Sequence, residues 1–306
     1  MGRWGSALLW LLVVPFAVWA AVRASGWSPG FRWIQLVSFT PYVAAAALVV
    51  PVLALAARRW APALAALVVA AVLVALVMPR ALADGNPEAG GPVIRVMGAN
   101  LLKGRTPAAD LVKLAAELRV DLLSVQELPQ HKIAETGAAG LDRLLPYRLE
   151  GTRDTVLYSR FPLGAMKESP GGSIRVDVQM PGAAPFEFVA VHTCAPLGPW
   201  LAECWADSQR DLPGATPGGQ VRVMAGDFNA TLDHVSMRSL LATGYRDAGR
   251  ARGEGLAATW PATGHRLPGI VIDHVYADRR VAILGYSVHD LPRSDHRAVF
   301  AELRLP

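Results

Sequence analysis

Val223-Met224-Ala225-Gly226-Asp227-Phe228-Asn229-Ala230 is an apolar run that stops on a glycine, a carboxylate and an amide. A short apolar run bounded by glycine predicts a buried strand, so Asp227 and Asn229 fall where the backbone leaves the sheet. Strand alternation puts both side chains on one side. A carboxylate there can bind a hard cation or take a proton from water, and an amide can hydrogen-bond a phosphoryl oxygen. Asp and Asn also end strands simply by making turns, so the chemistry depends on what the other strand ends carry.

They carry the same kinds of group. Val93 to Met97 alternates into Asn100; Thr106 is expected to cap a helix running to Leu118, and a second apolar strand, Leu122 to Val125, ends in Gln126-Glu127. Strand, helix, strand with polar groups at the strand ends is the layout of an α/β site. Thr155 to Pro162 reads as another strand, stopped by proline. Phe186 to Val191 alternates and delivers His192; Ile270 to Ile272 ends in Asp273-His274; Asp295-His296 precedes a last strand, Ala298 to Leu303. Between them, His234 to Leu241 predicts a short helix, followed by a Gly-rich segment through Pro268. Of the two histidines that follow an aspartate at a strand end, His274 and His296, His274 is expected to be structural.

Asn100, Glu127, His192, Asp227, Asn229, Asp273, Asp295 and His296 form one candidate set. Several carboxylates in one pocket repel one another and raise each other's pKa unless a cation offsets them. Mg²⁺ is the expected guest, with Mn²⁺ as the alternative, because it takes one or two carboxylates and shares its shell with phosphate oxygens. An imidazole oriented by a carboxylate, as Asp273 can orient His296, acts as a base or donates a hydrogen bond to the transition state.

The ordered motifs AN (99–100), QE (126–127), LYSRFPL (157–163), VHT (191–193), GDFNAT (226–231), IDHVYA (272–277) and SDHRAV (294–299) resemble the endonuclease/exonuclease/phosphatase superfamily over essentially all of residues 92–306. The resemblance implies a four-layer α-β-β-α sandwich of two mixed sheets and metal-dependent cleavage of a phosphate ester or anhydride. It implies that Glu127 holds the metal with Asn100 and Asp295, and that Asp227 and Asn229 position the attacking water and the phosphate. His192 and His296 would contact phosphoryl oxygens, with Asp273 orienting His296. Two departures stand out: Ala99 replaces an aromatic residue or Thr, and Asp154-Thr155-Val156 lacks the usual leading glycine.

The first part of the chain is a different material. From Met1 to Ala83 the charged side chains are Arg3, Arg23, Arg32, Arg58, Arg59 and Arg80, leaving uncharged runs at 4–22, 33–57 and 60–79. Each run is close to the roughly 20 residues a helix needs to cross a bilayer, so three transmembrane helices are expected at about 4–22, 34–57 and 61–79. Two further spans behind the first argue against a cleaved signal peptide. The Arg58-Arg59 pair favours a cytoplasmic N-terminus and an extracytoplasmic domain. Residues 84–91 read as a polar hinge that reaches at most about 28 Å, keeping the domain close to the membrane.

Of the net charge of +5, the segment up to residue 91 holds +4, and the remaining domain, with 24 basic and 23 acidic residues, holds +1. A nucleic-acid enzyme usually carries a basic footprint on its own domain, and these totals show none. Cys194 and Cys204 are the two cysteines, and outside the cytoplasm a disulfide between them is the expected state. The three-span anchor resembles membrane-tethered actinobacterial members of the superfamily linked to teicoplanin resistance and to dephosphorylation of polyprenyl pyrophosphate carriers. The expected function is therefore an extracytoplasmic phosphatase of a lipid phosphate or pyrophosphate, with membrane lipids as partners. The alternatives are a tethered nuclease, a phospholipid phosphodiesterase of the same fold, or a catalytically silent membrane scaffold.

Overall fold

The computed structural model describes residues 3–262 and 268–306, so part of the expected Gly-rich segment lies outside the described residues. Three long helices come first: α1 (Arg3–Ser25), α2 (Phe31–Ala56) and α3 (Trp60–Val77). With the short turn after α3 included, the apolar stretches Gly5–Ser25, Phe31–Ala56 and Trp60–Arg80 measure 21, 26 and 21 residues, long enough to cross a membrane. A 3₁₀ turn at Val37–Phe39 interrupts α2 just before Pro41, which lacks an N–H and sits without conflict in the first turn that follows. Small residues line the contacts between the helices, with Ala20, Ala44, Ala47 and Ala70 packed around Leu73. Leu8, Leu11, Leu64, Leu67 and Val68 point outward and stay exposed, the inverse of a water-soluble bundle and the pattern suited to lipid.

The rest of the chain builds two mixed sheets. The first contains β1 (Val93–Asn100), β2 (Leu122–Gln126), β3 (Tyr147–Glu150), β4 (Val156–Ser159), β10 (Ala282–Asp290) and β11 (Arg297–Arg304), in the order β10-β11-β1-β2-β4-β3. The second contains β5 (Ile174–Val178), β6 (Phe186–His192), β7 (Arg222–Asp227), β8 (Tyr245–Asp247) and β9 (Asp273–Asp278), in the order β5-β6-β7-β9-β8. One parallel pair occurs in each, β1 with β2 and β6 with β7.

Ile94, Val96, Leu122 and Val299 of the first sheet meet Val176, Phe188, Val223 and Val275 of the second in the central core. The outer face of the first sheet is covered by α4 (Ala108–Glu117) and α5 (Gln130–Thr136), through Leu111, Ala115 and Ile133. The outer face of the second is covered by α6 (Ala202–Arg210) and α7 (Val235–Ala242), through Trp205, Met237 and Leu240. The result is the expected helix-sheet-sheet-helix sandwich. Because β2 and β7 are covered on both faces, Leu122 to Val125 and Val223 to Ala225 read as continuous apolar runs rather than alternating ones. Each large side chain fully buried there contributes about 1.5–3 kcal/mol.

Two local expectations change. Thr106 does not cap α4: Pro107 takes the N-cap position with extended backbone, and Thr106 Oγ1 is buried without a partner among the described residues. Residues 84–91 are not a free hinge. The Asp84 N–H donates to Ala251 O at 2.9 Å, Arg246 donates to Gly85 O at 2.6 Å, and Gly91 N–H donates to Leu305 O at 3.0 Å. Asn86 bonds both the N–H and the carbonyl of Ile283, each at 2.9 Å, on the edge strand β10. Edge-strand groups that need partners recruit this polar stretch.

The helices and the domain are also joined directly. Asp233 is buried and accepts from Arg23 Nε at 2.8 Å, from Arg80 Nη1 at 2.7 Å and from Arg80 Nη2 at 2.5 Å. Arg23 ends α1 and Arg80 follows α3, so both ends meet the domain at one carboxylate. These two arginines, which stand at the ends of uncharged apolar runs in the sequence, are neutralised in part by Asp233.

Candidate active site

Three adjacent strands of the second sheet deliver polar groups in register. His192 on β6 pairs with Asp227 on β7, which pairs with Asp273 on β9. From the first sheet, Asn100 and Gln126 end β1 and β2 side by side, and Glu127 follows. The two sheets approach closely here because of glycines. A Cβ on Gly98 would lie 3.1 Å from the Gly226 nitrogen, and a Cβ on Gly226 would lie 2.7 Å from Gln126 Nε2 of the other sheet. Gly226 has φ +141°, so a side chain is excluded by backbone conformation as well as by space. This approach carries Asn100 across to Asp227.

Asn100 Nδ2 donates to Asp227 Oδ2 at 3.1 Å and to Glu127 Oε1 at 3.2 Å, linking the two carboxylates. Its Oδ1 accepts from the Leu102 N–H at 3.0 Å, which fixes the amide orientation. Glu127 Oε2 accepts from the Lys103 N–H at 3.0 Å. Glu127 and Asn229 adopt left-handed backbone, φ 54° and 46°, which turns the chain sharply out of each strand. Asn229 is held by its own N–H to Asp227 Oδ1 at 2.8 Å, by Nδ2 to Thr193 O at 3.0 Å, and by Trp205 Nε1 on its carbonyl at 2.9 Å.

His296 enters from the loop before β11. Its Nδ1 donates to Asp273 Oδ2 at 2.9 Å, and Ser294 Oγ accepts the His296 N–H at 3.0 Å. Thr259 Oγ1 holds the backbone of Ile272 and Asp273 from the other side. Burial opposes the charged imidazole, but the Asp273 and Asp227 carboxylates outweigh it and push His296 up to about 10. Burial raises Asp273 while the imidazolium pulls it back. Asp295 adds its negative field to His296 and accepts from Trp260 Nε1 at 3.0 Å.

His192, partly exposed at the end of β6, is oriented by Nδ1 donating to Arg153 O at 3.2 Å. Arg153 and Asp154 have φ 54° and 53°, left-handed conformations where a glycine is usual, so the departure noted in the sequence keeps the turn at the expense of backbone strain. His274 is structural. It is buried, with Nδ1 2.8 Å from Asp247 Oδ2 and Nε2 3.0 Å from Ala230 O. Both partners are acceptors, so the ring carries both protons; burial disfavours that form, and Asp247 overrides it and raises the pKa.

The structure thus joins Asn100, Glu127, Asp227, Asn229, Asp273 and His296 in one continuous hydrogen-bonded and electrostatic cluster, with Asp295 beside His296 and His192 across the strand from Asp227. The tightest potential metal-binding grouping among the described residues is Asp227, Asp273 and His296, with one ligand atom each within 4.8 Å of one another. Sequence reading missed the second tier of contacts: Thr259, Ser294, Trp260 and the Asp233 clamp. No spacing rule announces a serine that closes onto Asn100 O at 2.8 Å from 194 residues away.

The profile of the endonuclease/exonuclease/phosphatase family matches residues 97–296, nearly the whole of the two-sheet domain. The chain belongs to this family. Solved structures agree at the level of fold. An endonuclease/exonuclease/phosphatase from Beutenbergia cavernae aligns with TM-score 0.57 at 18% identity, covering 70% of this chain and 72% of that one. TDP2 from D. rerio, complexed with a single-strand DNA product, aligns with TM-score 0.53 at 13% identity, covering 69% of this chain and 99% of that one. Sphingomyelinase C from Streptomyces griseocarneus aligns at 16% identity with TM-score 0.47, covering 69% and 99%. No curated protein matches the sequence. Members of the endonuclease/exonuclease/phosphatase family are phosphoester hydrolases that generally use divalent metals, and the oxygen-rich cluster described above fits that chemistry.

Proposed function

We propose that this protein is a membrane-anchored, divalent-metal-dependent phosphatase acting on a lipid phosphate or pyrophosphate, such as a polyprenyl carrier, at the extracytoplasmic membrane face. The observation that carries the reading is that loops leaving the site strands are bonded to the anchor. After β6, Pro196 O accepts from Gln35 at 3.0 Å; after β7, Asp233 is clamped by Arg23 and Arg80; before β9, Gly269 O accepts from the Tyr42 hydroxyl at 2.6 Å. A site held this way meets substrates at the bilayer surface and not in bulk solvent.

Three further features support it. Leu197 and Trp200, which follow His192, are 75% and 79% exposed, and Pro196 beside Leu197 is bonded to Gln35 near the start of α2, a position suited to the membrane interface. The domain carries a net charge of only +1, against the basic footprint of a nuclease. Cys194 and Cys204 are disulfide-bonded with Cα atoms 5.9 Å apart, as expected in an oxidising compartment.

Glu127, with Asn100 and Asp295, would hold the metal. Asp273 has its carboxylate committed to His296, which leaves it an orienting group and not a ligand. A bound Mg²⁺ or Mn²⁺ supplies charge stabilisation at the phosphoryl group and the leaving oxygen. Asp227, braced by Asn100 and by the Asn229 N–H, accepts the proton of the attacking water. His296, kept protonated by Asp273 and Asp227, donates Nε2–H to a phosphoryl oxygen, and His192 contacts a second oxygen.

The test is phosphate release by the detergent-solubilised protein with Mg²⁺, offered a polyprenyl pyrophosphate, a sphingomyelin micelle and a DNA duplex in parallel. Turnover of the pyrophosphate alone supports the proposal. Cleavage of DNA or sphingomyelin with the pyrophosphate untouched refutes it in favour of the other members' chemistry.

A further inference from the structure

A cavity of about 520 Å³ lies away from the catalytic cluster, where α1 and α2 emerge beside the domain. Its walls come from the last turn of α1, the connecting loop with Trp27, the first turns of α2 with Trp33, and the helices α6 and α7. Tryptophans at the ends of two apolar helices mark the depth of lipid headgroups.

Four buried polar atoms of residues lining this cavity have no hydrogen-bond partner among the described residues: Arg23 Nη1, Ser236 Oγ, Arg238 Nε and Gln209 Oε1. Arg23 is only 3% exposed. Buried polar groups are normally satisfied, so four around one space call for a ligand that offers both acceptors and a donor. The charges point the same way. Asp233 is the carboxylate acting on Arg238, and both of its oxygens are already held by Arg23 and Arg80. Three guanidiniums around one carboxylate leave a surplus of partly buried positive charge, and burial together with Arg23 pushes Arg238 below its usual pKa. The N-terminus of α7, which lacks a side-chain cap, opens at the same place through His234 and Ser236.

We propose that this cavity binds the headgroup of an anionic membrane phospholipid, its phosphate meeting Arg23, Arg238 and Ser236 and a headgroup hydroxyl donating to Gln209. The lipid is a structural ligand that fastens the domain to the anchor, and the assignment holds whichever phosphate compound the active site hydrolyses. Gln209 Nε2 also bonds Phe228 O at 2.6 Å, and Trp205 bonds Asn229 O, so the occupied cavity backs the catalytic loop.

The experiment uses the full-length protein in detergent, titrated with phosphatidylglycerol, phosphatidylcholine or inorganic phosphate, and read by melting temperature and by native mass spectrometry of retained lipid. Phosphatidylglycerol is expected to raise the melting temperature and remain bound, while phosphatidylcholine does neither. Arg238→Gln should weaken the response about tenfold, the effect of removing one charge-assisted hydrogen bond, and Arg238→Lys should recover part of it. Ser236→Ala, a milder change, should weaken it in the same direction. Equal responses to the two phospholipids, saturation by inorganic phosphate with no effect of phosphatidylglycerol, or undiminished binding in both Arg238→Gln and Ser236→Ala overturns the proposal.

Discussion

His296 Nε2 stands 3.9 Å from Asp227 Oδ2, too far for a hydrogen bond, while its Nδ1 is held 2.9 Å from Asp273 Oδ2. One nitrogen is committed to orientation and the other faces a carboxylate across a gap. A phosphoryl oxygen and a water can be handled there without breaking a protein contact. Asp273→Asn and His296→Ala should each lower kcat by about 10²–10⁴-fold, the range for a positioned acid or base. The double variant should be little worse than either single one, because the two residues act as a unit. Additive losses in steady-state kinetics would contradict this pairing.

Glu127→Gln removes a carboxylate charge and keeps the shape of the side chain. The expected result is a rise in the Mg²⁺ concentration needed for half-maximal rate of about 10-fold or more, since even partners outside the metal's ligand shell change affinity by that much. Metal titration of the rate checks it. Removal of the ion by EDTA should abolish turnover in the wild type.

The Asp233 clamp gives a stability prediction. Burial opposes the charged carboxylate, but Arg80 and Arg23 outweigh it and hold its pKa below the ordinary value. A depressed folded-state pKa contributes stability that is present above the unfolded value of about 4 and is lost as pH falls through the folded one. Acid melting curves of Asp233→Asn should therefore be flatter below about pH 4 than those of the wild type. At neutral pH the substitution strands two buried guanidiniums and should cost about 3–5 kcal/mol. Because Asp233 follows the catalytic loop by four residues from Asn229, the variant should also lose activity before it unfolds, measurable as a lower inactivation temperature than melting temperature.

The Cys194–Cys204 disulfide closes the loop that starts beside His192 and ends on α6. Replacing both cysteines with serine should destabilise the protein by about 2–4 kcal/mol, as read by thermal or denaturant unfolding. An unchanged midpoint would show that the loop is constrained by packing alone.

The strand ends were legible in the sequence because each joins an apolar run to an abrupt polar pair, and a strand buried on both faces leaves its chemistry nowhere but its ends. Asp227, Asp273 and His192 share one register line for that reason. The role of His274 was legible as well, since a strand-borne histidine that continues into Val275 and Tyr276 points into packed material. The Arg23–Asp233–Arg80 clamp was not. Its three members are separated by 210 and 153 positions, and arginines at the ends of apolar helices ordinarily signal orientation, not pairing. Thr106 misled because its residue type favours a cap, while the proline after it already fixes the entry to α4. Residues 84–91 misled because polarity and small size suggest a hinge, yet the same amides and N–H groups are what an edge strand needs.

The most direct measurement is the initial rate of phosphate release from a polyprenyl pyrophosphate in detergent micelles, for the wild type and Asp227→Ala, over a range of Mg²⁺. Release should rise and saturate with the metal in the wild type and be absent from Asp227→Ala at every concentration. Release that ignores the metal, or that proceeds equally in both proteins, would contradict the proposed function.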